Sequence, residues 1–151
     1  MQTEDKSLAR EAAFLAGEES CISAVPYLAE LLQDSNLGVQ EAAELSLRKI
    51  GGSKTVQAII PLLRSEDVPV RNLAMDILRQ IGNQDLESLL DLLYDQDADI
   101  RIFATDILGS VGNVTAVNSL CDVLLNDPQI NARYQAAVSL GELRSKEATK
   151  C

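Results

Sequence analysis

The sequence predicts an all-α fold, a right-handed α-solenoid of about four and a half helical hairpins. Three observations carry that expectation. The chain repeats itself about every thirty residues, as in VRNLAMDILRQIG at 70–82 and IRIFATDILGSVG at 100–112. Apolar residues recur at helical spacing inside each copy. Nothing alternates with the period of two that a half-buried strand requires, so no sheet is expected.

The repeat is read from columns. Gln40, Arg71, Arg101 and Arg133 are separated by 31, 30 and 32 residues. Three places after each stands an alanine (Ala43, Ala74, Ala104, Ala136), and seven places after, a leucine (Leu47, Leu78, Leu108, Leu140). Eleven places after stand Gly51, Gly82 and Gly112, then Arg144 in the last copy. Apolar pairs keep step at Leu31-Leu32, Leu62-Leu63, Leu92-Leu93 and Val123-Leu124. The small residue held at one helical position suggests that consecutive first helices pack closely there.

The elements follow in order, as one domain over 1–151 with repeats near 3–34, 35–65, 66–95, 96–127 and a partial 128–151. The first copy, SLAREAAFLAGEESCISAVPYL, aligns loosely and has a longer turn, as expected of a capping repeat; its second helix carries Val25, Leu28, Leu31 and Leu32. In the second copy, Gly51 offers the left-handed conformation that closes a first helix, and GGSKT leads to Val56, Ile59, Leu62 and Leu63. In the third, Val70, Ala74, Ile77, Leu78 and Ile81 form one helical face behind Pro69, which suits a helix start. Ile100, Ala104, Ile107, Leu108 and Val111 repeat that face in the fourth. The last copy, INARYQAAVSLGELRSKEA after Pro128, has a first helix and no second. That helix is a cap, or the chain was cut from a longer one, or the open end pairs with another subunit. The polar segments QDSN, SEDVP, DQDAD and NDPQ join the copies and supply N-caps.

DVPVRNLAMDILRQIG and AVPYLAELLQD resemble HEAT-like repeats, in particular the short bacterial type named after phycobilisome lyases. The resemblance covers nearly the whole chain. It implies hydrogen-bonded ladders between neighbouring repeats, formed by the arginine of each first helix and an aspartate six residues earlier. Here the arginine column is Arg71, Arg101 and Arg133, and the aspartate column is Asp34, Asp95 and Asp127. Two pairs depart from the pattern: Asp34 faces Gln40, and Ser65 faces Arg71. The resemblance also implies that second helices line a concave face. By register that face carries Tyr27, Glu30, Asp91 and Asp122, with Tyr94 and Asp95 farther along.

Little chemistry is on offer. There is no histidine or tryptophan, and aromatics are 3%. The commonest general base and metal ligand are thus absent. No Gly-rich phosphate loop, GxSxG or Cys–His pair occurs, so no catalytic residue, cofactor or metal is expected and the chain is read as a non-enzyme. Asp95, Asp97 and Asp99 resemble half a calcium loop, but Ile100 stands where that loop requires glycine. The widely spaced Cys21, Cys121 and Cys151 form no CxxC pair. The first two are expected on helices, behaving as small hydrophobes, and the last as an exposed thiol. No run is long enough to span a membrane and MQTEDKSLAR is no signal peptide, so a cytoplasmic protein without a membrane partner is expected.

The net charge is −10. Residues 1–50 and 51–100 each carry nine acids and four bases, whereas 101–151 carry five of each. Such a surface repels nucleic acid and attracts basic partners. The expected function is a protein-interaction scaffold whose acidic concave face, Tyr27, Glu30, Asp91, Tyr94, Asp95 and Asp122, grips a basic peptide or protein. The chain itself is expected as a monomer, or as a homodimer through its open C-terminal end. The alternative, taken from the family resemblance alone, is an accessory subunit for bilin attachment.

Overall fold

Polar caps and glycines cut the apolar pattern into helices. The computed structural model describes residues 2–148, with side chains for residues 3–144, so Cys151 and its expected exposed thiol lie outside the described residues. Among the described residues all regular structure is helical, arranged as the helical hairpins of an α-solenoid. Contacts divide the chain into two compact units, Met1–Ile77 and Leu78–Cys151.

The first unit holds α1 (Gln2–Glu18), α2 (Val25–Leu31), α3 (Leu37–Ile50), α4 (Gly52–Ile59) and most of α5 (Val68–Ile81). The Asn36 side chain caps α3 by accepting the Val39 N–H at 3.1 Å. At the other end, Gly51 takes φ 57° and returns its N–H to the Leu47 carbonyl at 2.9 Å. α1 packs along α3, and α2 packs on α3 and α4, burying Ala13, Leu28, Leu32, Val39, Ala43, Leu47, Val56 and Ile59 completely. Each fully buried Leu or Ile side chain contributes about 1.5–3 kcal/mol.

The second unit holds α6 (Leu86–Asp91), α7 (Ala98–Val111), α8 (Val117–Asn126) and α9 (Ile130–Ala148). Asp97 caps α7, and Gly112 closes it in the left-handed region at φ 75°. α7 and α8 both pack on α9, with Leu89, Ala104, Ile107, Leu108, Leu120, Ala132 and Ala136 fully buried. All four alanines of the repeat column are among the 0% exposed. Leu140 is only half-buried, at the edge of the Ala132, Ala136, Ser139 and Leu143 stripe, while Ile130, Tyr134 and Val138 on the other side of α9 are exposed.

Three details differ from the sequence expectation. Gly82 does not close α5 in the left-handed region; it opens a 3₁₀ turn, Gly82–Asp85. Glycine is needed there for space, since a Cβ would stand 2.5 Å from Leu89 Cδ1 and 3.2 Å from Val111 Cγ2. Cys21 lies in the turn after α1 rather than on a helix, with its Sγ 3.2 Å from Ser23 Oγ, whereas Cys121 is on α8. The second helices are short and tighten at their C-terminal ends. Ile60–Arg64 and Leu92–Tyr94 are 3₁₀, and the Asp34 N–H bonds Leu31. Only the last of the four keeps α spacing to its end, where the Asp127 N–H bonds Val123.

A pair of seams joins first helices. A Cβ on Gly17 would lie 2.4 Å from Ser46 Oγ, and one on Gly109 would lie 2.7 Å from Ser139 Cβ. Each serine donates to a carbonyl of the facing helix, Ser46 to Ala13 at 2.6 Å and Ser139 to Thr105 at 2.8 Å. Close approach and a satisfied buried hydroxyl thus depend on the same two small residues.

Candidate functional site

The turns between repeats place the charged columns. In all four, the residue six places before the first-helix column closes a local turn: Asp34 on the Asn36 N–H, Ser65 on Asp67, Asp95 on Asp97 and Asp127 on Gln129, at 2.8–3.2 Å. Serine does this as aspartate does. Each arginine meanwhile reaches the backbone carbonyl of that same residue, Arg71 to Ser65 at 2.8 Å, Arg101 to Asp95 at 2.9 Å and Arg133 to Asp127 at 2.7 Å. Gln40 is shorter and bonds the Leu32 carbonyl instead. Asp97 accepts from Asp99, so Asp95 and Asp97 serve successive turns. No group of three metal-ligating side chains occurs among the described residues.

One buried ion pair links neighbouring repeats in the second unit. Arg101 Nε donates to Asp127 Oδ2 at 2.7 Å and Nη2 to Oδ1 at 3.0 Å, a two-pronged pairing. That hydrogen bonding, opposed by burial, holds the Asp127 carboxyl below and the Arg101 guanidinium above their ordinary ranges. In the first unit, Lys6 pairs with Asp34, and this bond likewise lowers the Asp34 carboxyl.

Beside the Arg101–Asp127 pair is an open pocket of about 270 Å³. Leu93, Val123 and Pro128 supply apolar wall, and Tyr94, Asp95, Asp122 and Asn126 supply the polar part. Tyr94 is 64% exposed at the end of the 3₁₀ turn after α6. Asp122, on α8, accepts from Asn126 Nδ2 at 2.7 Å, which orients its carboxylate. Three aspartates against one arginine leave the lining net negative beside an exposed aromatic ring. Such a wall suits a guanidinium or ammonium group, by charge and by contact with the ring face.

The structure therefore brings Tyr94, Asp95 and Asp122 together. Asp91 is exposed at the C-terminal end of α6 and is not among the residues lining that pocket. Tyr27 and Glu30, in the first unit, stand three residues apart on the exposed side of α2. The sequence reading missed two further charged contacts between first helices. Arg79 pairs with Asp106, and Arg48 reaches the Asp76 carbonyl at 3.4 Å. For the ion pair the signal was present, because Arg79 stands eight places after its column arginine and Asp106 five places after the next.

Comparison with known proteins finds the HEAT-repeat family model matching residues 1–79 and 86–151. Among solved structures, a crystal structure of an engineered protein is 23% identical, covering 93% of this chain and 73% of that one, with a TM-score of 0.43. No curated protein matches the chain.

Proposed function

The chain belongs to the HEAT-repeat family, whose members generally mediate protein–protein interaction, and from that premise we propose that it is a non-enzymatic adaptor for a basic protein partner. The observation that carries this reading is the second-unit pocket, where Tyr94, Asp95 and Asp122 converge around a net negative lining. An arginine or lysine of the partner enters there, its charge met by the carboxylates and its stem by Leu93, Val123 and the tyrosine ring. Asp91 adds an exposed carboxylate on α6, and the first unit, taken by itself, exposes Tyr27 and Glu30 on α2. The excess of acids steers a basic partner toward the surface and raises its association rate.

The test uses a fluorescein-labelled Lys/Arg-rich peptide and anisotropy. Tyr94→Ala and Asp122→Lys should each weaken binding about tenfold or more, with raised salt weakening the wild type. Equal affinity in wild type and both variants would remove this pocket from the interaction.

A further inference from the structure

The first unit carries a groove of the opposite character, on its first helices. Two openings lie between α1 and α3. One, of about 620 Å³, is lined by Thr3, Lys6, Ser7, Arg10, Ser35, Asn36 and Gly38. The other, of about 430 Å³, includes Phe14, Ala42 and Leu45, with Glu11 and Glu41 at its sides. Both are lined by Ser7, Arg10 and Gly38, so they form one trough. From Thr3 to Phe14 it runs about 17 Å at 1.5 Å per residue, roughly three helical turns.

The trough has a cause in the packing. At the far end of the pair, Gly17 and Ser46 bring α1 and α3 into tight contact. Toward their N-terminal ends Ser7, Gly38 and Ala42 are too small to fill the gap, while Arg10, Phe14 and Leu45 stand as walls. Phe14 and Leu45 are more than half exposed there, at 54% and 64%.

Charge divides the two ends. In a chain of net charge −10, the larger opening is lined by two cations and no carboxylate. Lys6 is paired with Asp34, but among the described residues Arg10 has no ion-pair partner. Asn36 caps Val39 at the head of the 14-residue α3, whose positive end adds to the cationic potential.

We propose that this trough docks a helical segment of a protein partner bearing an acidic side chain about two turns from a large apolar one. The acid meets Arg10 and Lys6, and the apolar side chain lies between Phe14 and Leu45 over Ala42. Helix-in-groove recognition has this form, with anchors on one face of a short helix. The chain thus offers a second docking surface, whose partner is opposite in charge to that proposed for the Tyr94 pocket.

The experiment is a selection from a displayed library of twelve-residue peptides on the intact protein. It is counter-selected on Arg10→Glu/Leu45→Ser, two exposed positions whose replacement should leave the circular dichroism unchanged. Peptides kept by the wild type and lost by the double variant should carry Asp or Glu about seven places from Leu, Ile or Phe. Synthesised and labelled, they should bind at least tenfold more weakly to either single variant, bind equally to Asp122→Lys, and shift the amide resonances of Ser7, Gly38 and Ala42. An empty selection, peptides held equally by both proteins, or shifts confined to other residues would overturn the proposal. Dodecanoate shifting those resonances while no peptide does would overturn it in favour of a small amphiphile.

Discussion

At the scale of single residues, the buried charges make the sharpest predictions. Asp127 has a native pKa held below the ordinary carboxylate range, chiefly by its bonds from Arg101. The unfolded chain therefore takes up that proton at higher pH than the folded one does. The Asp127 contribution is fully present above the unfolded value of about 4 and is lost as pH falls through the lower native value. Asp34, lowered by Lys6, acts in the same direction. Asp127→Asn should cost roughly 1.5–3 kcal/mol at pH 7, as expected for hydrogen bonds to a charged group. It should also flatten the fall in urea midpoint between pH 5 and 3. A variant that keeps the wild-type acid slope would show that the pair does not govern it. Thr55 makes the converse case. Among the described residues, its hydroxyl is the buried side-chain polar atom without a hydrogen-bond partner. Thr55→Val keeps the shape and removes that desolvation cost, so urea unfolding should show a gain of about 1 kcal/mol.

At the scale of helices, the glycines separate packing from propensity. Gly109→Ala would press a methyl into Ser139 on the facing helix and should destabilise by about 1–3 kcal/mol. Gly141 stands in the corresponding place on α9 with nothing within 4 Å of where a Cβ would go. There the same change should stabilise by about 0.5–1 kcal/mol, through helix propensity alone. Thermal melts of the two variants should move in opposite directions. These seams also mark what the sequence could and could not convey. Helices and their faces were legible, because burial of one stripe imposes a period on Val70, Ala74, Ile77, Leu78 and Ile81. Gly82 stood in the glycine column but for another reason, as only the packed structure brings Leu89 and Val111 against it. The arginine column was visible, whereas its carbonyl acceptors were not, because a backbone oxygen leaves no trace in residue identity. That is why Ser65, which breaks the aspartate pattern, still accepts the same bond. The convergence of Tyr94, Asp95 and Asp122 depends on how adjacent turns meet, which column arithmetic alone does not specify.

At the scale of the whole chain, charge dominates. A net charge of −10 on 151 residues disfavours the compact state through self-repulsion and is screened by salt. Raising sodium chloride from about 10 to 150 mM, where the Debye length falls from roughly 30 to 8 Å, should raise the melting temperature by several degrees. Over the same range a basic ligand of the Tyr94 pocket should bind more weakly. A melting temperature that falls with salt would mean that the ion pairs, Arg79–Asp106 and Arg101–Asp127 among them, outweigh the repulsion.

The turn clasps bear on how the chain reaches this state. Arg71, Arg101 and Arg133 each close on a carbonyl six residues back, and the serines of the two seams reach 33 and 34 residues, about one repeat. Each of these contacts closes a short loop, so the entropy of bringing distant segments together is small. Contacts this local in sequence belong to the low contact-order end, which favours fast folding. During synthesis the α1–α3 pair can order before α9 has left the ribosome, sparing the apolar stripes of later copies a long wait unpaired.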